Sequence, residues 1–224
     1  MPLSMLSRDL LTQTLPHLKM HDTIYHALQM MNDYHIAHLP VVEDEKFAGL
    51  VSEEILLHAE DDNAAVETLQ QGFVNISVKD NEHLLSAIQE TVENDLSIMP
   101  VVNEDNELLG CITKTDLLKN ASAFMSLNEP GGIVVLEMDP KQYSFNELSR
   151  LVENNDAQIT QLNTSTDSST GLMMVTIKIN KADVADLVSS LQRHEYNVKY
   201  YFGEELYENE VRSNYENLMN YLKI

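Results

Sequence analysis

The chain has 224 residues, of which 43% are hydrophobic and 22% charged, as is usual for soluble globular domains. Its 14 basic and 36 acidic residues give a formal net charge of −22, and a field of that sign repels nucleic acids and anionic membrane surfaces. No apolar run approaches the roughly 20 residues that a membrane-spanning helix needs, so we expect neither nucleic acid nor membrane as a partner. The N-terminal residues lack an apolar stretch that ends in a small-residue cleavage site, which favours a cytoplasmic location.

The cysteine and histidine content argues against a metal centre. The single cysteine, Cys111, excludes an intramolecular disulfide and a multi-thiolate metal site, and we predict that it is a small buried side chain. Among the histidines, His21 and His26 are five residues apart, and His35 and His38 are three apart. Neither pair has the i, i+4 spacing of zinc ligands on a helix, so we expect no metal site.

An internal repeat organises the first half of the chain. Residues 38–43 match residues 98–103, and the prolines in the two copies, Pro40 and Pro100, lie 60 residues apart. Upstream of each, segments 24–31 and 84–91 carry apolar residues at helical spacing, which predicts helices that bury one stripe. The capping residues expected at the starts of these helices are Asp22 or Thr23 in the first copy, and Asp80 or Asn81 in the second.

Each copy continues with an acidic turn, a short apolar strand and a second helix. The strands are predicted at 47–52 and 108–113, so the offset between copies has grown to 61. One additional residue in the second turn, 103–107 against 43–46, accounts for the change, because turns tolerate insertions. Each unit is therefore predicted as helix, strand, turn, strand, helix.

These repeated segments resemble two CBS motifs in tandem. The resemblance rests on Leu39-Pro-Val-Val42 with Gly49-Leu-Val-Ser52, and on Met99-Pro-Val-Val102 with Gly110-Cys-Ile-Thr-Lys-Thr-Asp116. It implies an α/β CBS-pair fold, a pseudo-symmetric disc that often dimerises and binds adenosine-containing ligands in clefts between the motifs. We place the first motif at 1–60 and the second at 61–127.

The resemblance also implies which residues bind such a ligand. In the family, a Gly-x-x-Thr/Ser-x-x-Asp signature supplies a hydroxyl to the phosphate and a carboxylate to the ribose hydroxyls, and here it matches Gly110, Thr113 and Asp116. An ionised Asp can accept both ribose hydroxyl protons, and a helix N-terminus offers free amides to an anion. By the same resemblance, the wall for adenine is formed around Met99, Pro100 and Val101. The alternative is that Thr113 and Asp116 cap the helix without a ligand.

The first copy departs from the signature, because Ile55 stands where the carboxylate is expected. Glu53 and Glu54 further disfavour phosphate there by like-charge repulsion. We therefore expect one competent cleft per chain. It should prefer adenosine, AMP or S-adenosylmethionine over ATP, because the charge of the chain opposes highly anionic ligands.

The second half shows a different pattern after a turn-rich stretch at 128–132. The predicted elements are a strand at 133–138, a helix at 145–153, a strand at 158–163, a polar loop at 164–171, a strand at 172–179, a helix at 182–194 and a strand at 197–202. This βαββαβ order is the ferredoxin-like α+β arrangement. At residues 131–203 it resembles an ACT domain, and the layout of the chain resembles acetoin-utilisation-type CBS proteins.

Two features of this half bear on partners. ACT domains that bind amino acids usually have a glycine in the loop after the first strand, whereas residues 139–144 contain none, which leaves amino-acid binding and dimerisation through the sheet as alternatives. The segment 204–224 is predicted to form an amphipathic helix that packs on its own domain, on a twin subunit or on another partner. Its apolar face is formed by Val211, Tyr215, Leu218 and Leu222.

These observations favour a non-catalytic regulatory protein, expected as a homodimer, that senses an adenosine-type small molecule and acts on an unknown protein. No catalytic residue and no required cofactor are predicted, because the sequence has neither a glycine-rich phosphate loop nor a Gly-x-Ser-x-Gly nucleophile motif. The alternative is a ligand-free interaction and dimerisation module.

Overall fold

The computed structural model describes residues 5–12 and 15–203. The chain divides into two compact units, Met1–Phe124 and Met125–Ile224. The amphipathic helix predicted for 204–224 lies outside the described residues. Within the described part, every helix is too short or too polar to cross a bilayer.

The first unit contains the same order of elements twice, as the repeat predicts. The first copy consists of β1 (Leu18–Lys19), α1 (Ile24–Tyr34), β2 (His38–Glu43), β3 (Lys46–Ser52) and α2 (Glu53–Leu57). The second copy consists of β4 (Val78–Lys79), α3 (Leu84–Glu93), β5 (Ile98–Val102), β6 (Leu108–Thr113) and α4 (Lys114–Phe124). In each copy the short first strand pairs parallel with the second, and the second pairs antiparallel with the third.

The two first helices bury the predicted stripes, with Ala27 of α1 and Ala87 of α3 at equivalent positions. The predicted N-cap of α1 is confirmed, since the Thr23 side chain accepts a hydrogen bond from the backbone of His26. The predicted cap of α3 is wrong. That helix begins at Leu84, and its N-cap is His83, whose ring accepts the amide of Leu85. A histidine is not a preferred capping residue, so the sequence pattern placed the cap two or three residues too early.

Each copy is covered by the segment that precedes the other copy, and we call residues 5–12 and 66–74 the crossing segments. Thr12 donates its amide to the carbonyl of Cys111 at 2.9 Å, and Val74 exchanges two backbone hydrogen bonds with Leu50. The exchange joins both copies around one hydrophobic core. Residues with no solvent exposure come from both copies and include Leu18, Leu39, Val41, Leu84, Met99 and Val101.

Gly49 and Gly110 lie beneath the crossing segments. Their φ angles are +145° and +153°, a region that L-residues avoid. A Cβ on Gly49 would lie 2.9 Å from the Cβ of Phe73, and one on Gly110 would lie 3.2 Å from the Cδ2 of Leu11. The close approach of the crossing segment therefore explains why the signature has a glycine, without any role in ligand binding.

Cys111 is buried as predicted, with 1% of its surface exposed. Burial raises the pKa of its thiol to about 12. The thiol stays protonated at neutral pH, so it is a small packed side chain and not a nucleophile.

The second unit has the predicted βαββαβ order. Its elements are β7 (Ile133–Met138), α5 (Phe145–Glu153), β8 (Ile159–Thr166), β9 (Met173–Ile179), α6 (Ala185–Arg193) and β10 (Asn197–Phe202). The four strands form one antiparallel sheet in the order β10-β7-β9-β8. Buried side chains of the sheet, such as Leu136 and Ile177, share a core with Leu148 of α5 and Leu191 of α6.

Two boundaries in this unit differ from the prediction by three residues, and three others differ by one. β8 continues to Thr166, into the predicted polar loop, because the backbone of 164–166 pairs with β9 whatever the polarity of its side chains. The helix predicted from 182 begins instead at Ala185, whose amide is capped by the Asp183 carboxylate at 3.0 Å.

A buried lysine joins the start of this unit to its sheet. Lys178 of β9 is 7% exposed, and its ammonium group donates to the carbonyl oxygens of Ser126 and, at 2.9 Å, Glu129. The turn-rich stretch before β7 is thereby fastened to the sheet by side-chain hydrogen bonds.

Candidate functional site

The hydroxyl and carboxylate of the signature meet at the junction of β6 and α4. Thr113 is the last residue of β6, and Asp116 lies in the first turn of α4. The Thr113 hydroxyl donates to Asp116 Oδ2 at 2.8 Å, and the Asp116 amide donates to Thr113 Oγ1 at 3.0 Å. This reciprocal pair is the capping arrangement that the sequence offered as the alternative, so the two groups are already placed without a ligand.

A third residue, which the sequence reasoning missed, completes the cluster. The Thr12 hydroxyl donates to Asp116 Oδ2 at 2.5 Å, and the ammonium group of Lys119 lies 3.2 Å from Oδ1. The hydrogen bond from Thr12 is the main reason that the pKa of Asp116 lies below its ordinary value; the bonds from Thr113 and Lys119 lower it further, against the effect of partial burial. Asp116 is therefore an ionised hydrogen-bond acceptor at neutral pH.

The remaining predicted site residues lie on the strands behind this cluster. In the β5–β6 ladder, Val101 is opposite Gly110 and Pro100 is opposite Cys111. Met99 and Val101 are completely buried in the core of the first unit, and Pro100 is also buried. Their role as a wall for adenine stays a prediction.

The corresponding positions of the first copy carry different chemistry. Ser52 caps α2 by accepting the amide of Ile55 at 3.3 Å, so its hydroxyl occupies the place of Thr113. Ile55 stands in place of Asp116, and Val74 of the crossing segment stands in place of Thr12. The polar pair of the second copy is thus replaced by two apolar side chains.

A second polar cluster joins the two copies close to this site. The Ser97 hydroxyl accepts the amide of Ala37 at 3.0 Å, and the Ser97 amide donates to His38 Nδ1 at 3.2 Å. Burial lowers the pKa of His38, and the charge of Lys114 lowers it further, while Asp95 acts in the opposite direction. Because Lys114 directly follows Thr113, this joint adjoins the candidate site.

Two further observations concern the described residues outside this cluster. Among residues 5–12 and 15–203, no group of three or more His, Cys, Asp or Glu side chains is arranged to hold a metal ion. A cavity of about 780 Å³ lies at the turns of the two hairpins, away from Thr113, and its lining includes His17, Lys19, Glu43 and Glu107.

The fold is a tandem module of two equivalent α/β repeats, each covered by the segment that precedes the other. The hydroxyl–carboxylate cluster lies in the second repeat. The sequence model of the CBS domain matches residues 7–62 and 74–123. The first unit therefore carries two CBS domains in tandem, as the resemblance predicted.

Two relatives by sequence come from Methanocaldococcus jannaschii. One is inosine-5'-monophosphate dehydrogenase, 26% identical over 133 residues, which are 59% of this chain and 27% of that enzyme. The other is an uncharacterised protein, 24% identical over 98 residues, or 43% of this chain and 33% of that protein. The matched region thus spans a third or less of the length of either relative.

Solved structures resemble the fold. A CBS domain pair/ACT domain protein from Thermotoga maritima is 23% identical with a TM-score of 0.48, and the match covers 54% of this chain and 98% of that one. CBSX2 in complex with AMP is 23% identical with a TM-score of 0.47, covering 54% of this chain and 98% of that one. A Vibrio cholerae protein described as an acetoin utilisation protein is 23% identical with a TM-score of 0.48, covering 56% and 96%. Likenesses at this level carry no inference about function.

Proposed function

We propose that this chain is a non-catalytic regulatory protein that senses an adenosine-containing ligand through the cleft of its second CBS domain. The observation that carries the proposal is the ionised Asp116 carboxylate beside the Thr113 hydroxyl, at the start of the 11-residue helix α4. CBS pairs are typically regulatory modules that bind adenosine ligands, and the two CBS domains matched here form such a pair.

The chemistry of this cluster suits a ribose. Two vicinal hydroxyls can both donate to one carboxylate, and the free amides at the start of a helix attract a phosphate or a carboxylate group of the ligand. The net charge of −22 opposes highly anionic ligands, so adenosine, AMP or S-adenosylmethionine fits better than ATP.

One such cleft per chain is expected. In the first CBS domain, Ile55 cannot accept a hydrogen bond from a ribose, and Glu53 and Glu54 in the first turn of α2 repel a phosphate. Binding of two ATP molecules per chain, measured by calorimetry, would contradict this stoichiometry.

No catalytic activity belongs to this proposal. The match with the dehydrogenase covers 27% of that enzyme and lies in the region of this chain that carries the CBS domains. We therefore propose that ligand binding changes the state of the protein, in the cytoplasm, and that an unknown partner protein reads that state.

We also propose that the second unit is an ACT-like domain with a ferredoxin-like fold. Its βαββαβ order and the strand order β10-β7-β9-β8 support this assignment. The loop after β7, residues 139–144, lacks glycine and contains a short turn at Pro140–Gln142, which favours homodimerisation through the sheet over amino-acid binding.

The test is a thermal-shift screen of adenosine, AMP, S-adenosylmethionine and ATP on the wild-type protein and on Asp116→Ala. A ligand that binds the folded state at 100 times its Kd stabilises it by about 2.7 kcal/mol, and this increase should disappear in the variant. Asp186→Ala is the matched control, because Asp186 also lies in the first turn of a helix, α6 of the second unit. Stabilisation that is equal in wild type and Asp116→Ala would refute the assignment of the site.

The second candidate is a protein-interaction module that uses the same fold without a ligand. It is favoured by one observation: Thr113 and Asp116 already satisfy each other as a helix cap. In that case no adenosine compound shifts the melting temperature, and Asp116→Ala lowers the free energy of unfolding by the cost of a lost cap, about 1 kcal/mol.

A further inference from the structure

The acceptor capacity of Asp116 is already in use. Oδ2 receives the hydroxyl protons of Thr12, at 2.5 Å, and of Thr113, at 2.8 Å. A carboxylate oxygen has two lone pairs, so both on Oδ2 are occupied. Oδ1 receives the ammonium group of Lys119. A ribose that presents one hydroxyl to each oxygen of this carboxylate must therefore displace a donor from Oδ2, where both lone pairs are in use.

Of the two donors on Oδ2, Thr12 is the one that a ligand can displace at the lower cost. Thr113 belongs to the same helix start as Asp116 and also accepts its amide, so its hydroxyl is fixed by two hydrogen bonds. Thr12 comes from 104 residues away along the chain, and among residues 5–12 and 15–203 its hydroxyl makes one hydrogen bond, to Oδ2. We propose that Thr12 is an internal competitor for the ribose hydroxyls, and that binding of an adenosine ligand displaces its hydroxyl from Asp116. This inference rests on the proposed function.

The displacement would change how the first crossing segment is held. Its backbone is fixed to the second CBS domain by four hydrogen bonds, from Ser7 to Glu82, from Arg8 to Asp80, from Leu84 to Met5, and from Thr12 to Cys111. Leu11 covers Gly110 beside the site. The Thr12 side chain is thus the part of this segment that contacts the carboxylate, and a ligand on Asp116 acts directly on the segment that leads into the first CBS domain.

The repeat supplies an internal control for this role. At the equivalent position of the second crossing segment, Val74 makes the same kind of backbone bridge, with Leu50, and faces a copy that has Ile55 in place of Asp116. A valine is therefore compatible with the crossing itself. The Thr12 hydroxyl is needed for contact with the carboxylate and not for the path of the backbone.

The test compares Thr12→Val, Thr12→Ser and Val74→Thr with the wild type by calorimetric titration with adenosine, AMP and S-adenosylmethionine. Removing a competing hydrogen bond to a charged group should tighten binding roughly fivefold in Thr12→Val. Thr12→Ser keeps the hydroxyl and should bind as the wild type does. Val74→Thr adds a hydroxyl at the equivalent place in the other copy and should leave the affinity unchanged.

A second readout is independent of any ligand. In Thr12→Val, the pKa of Asp116, followed by NMR of its carboxyl carbon, should rise towards the ordinary value because its strongest hydrogen-bond donor is gone. An unchanged Asp116 titration would show that the contact is not made, and would overturn the inference whether or not a ligand binds.

The remaining outcomes separate the two proposals. If the wild type binds and Thr12→Val binds equally or more weakly, Thr12 is not a competitor and this inference fails while the proposed function stands. If the Asp116 titration shifts but neither the wild type nor any variant binds adenosine, AMP or S-adenosylmethionine, the proposed function fails, and the competitor role fails with it.

Discussion

The hydrogen bonds between Ser97 and the first CBS domain should contribute measurably to stability, and Ser97→Ala tests this. The substitution removes an acceptor from the Ala37 amide, which lies 3.0 Å from the Ser97 hydroxyl, and a hydroxyl contact with His38 at 3.1 Å. Each hydrogen bond contributes about 1 kcal/mol, and an amide left without an acceptor in a half-buried position adds to the loss. We expect the free energy of unfolding to fall by about 1–2 kcal/mol.

Urea denaturation followed by circular dichroism measures this change, and amide hydrogen exchange at residue 37 locates it. Ser149→Ala is the control, since the Ser149 hydroxyl makes a solvent-exposed hydrogen bond to Glu153 within α5, and its loss should change the stability by less than about 0.5 kcal/mol. A double-mutant cycle with His38→Ala then separates the Ser97–His38 interaction from the bond to Ala37. If Ser97→Ala leaves both the urea midpoint and the exchange rate unchanged, the two copies are not joined through this serine.

Two further predictions concern pH and the second unit. Burial lowers the pKa of His38 in the folded state below 6.5, so as the pH falls the unfolded chain is protonated at this residue before the folded chain. The contribution of neutral His38 to stability is therefore complete above about pH 6.5 and is lost as the pH falls towards the folded pKa. His38→Asn, compared with wild type in urea titrations from pH 7.5 to 5, should reduce this slope, and equal slopes would contradict the assignment. Lys178→Met removes the donor to the carbonyls of Ser126 and Glu129, so we expect a loss of about 1–3 kcal/mol in the second unit and faster amide exchange at 126–132, with exposed Lys141→Met as the control. Unchanged exchange there would show that the lysine does not fasten this segment.

The sequence was sufficient for features that depend on neighbours along the chain. The equivalence of Pro40 and Pro100 predicted the two copies, and the three-residue spacing of Thr113 and Asp116 predicted their meeting, because residues i and i+3 adjoin at the start of a helix. In the second unit, the strand at 133–138 and the helix at 145–153 have the predicted bounds. Hydrophobic periodicity is strongest in such buried elements.

Features that depend on distant residues could not be read from local patterns. Thr12 reaches Asp116 across 104 positions, and no spacing rule connects them. The burial of the Lys178 ammonium group could not be predicted either, because the pattern of an alternating strand does not indicate which polar residue has buried acceptors nearby. The contact of Ser97 with the first copy had one signal in the sequence, because Ala37 and Ser97 are equivalent in the repeat. Equivalent residues that lie near a pseudo-twofold axis contact each other.

The crossing segments have a consequence for how the first unit folds. Neither copy can complete its own sheet edge from its own residues, because Cys111 is bridged by Thr12 and Leu50 by Val74. Both copies should therefore unfold together in one transition, and contacts such as that between Thr12 and Cys111 must close a loop of about 100 residues before they contribute. During synthesis, the N-terminal copy emerges first but is covered only when the second has been made, so the pair, and not the single motif, is the smallest piece of the first unit expected to fold on its own.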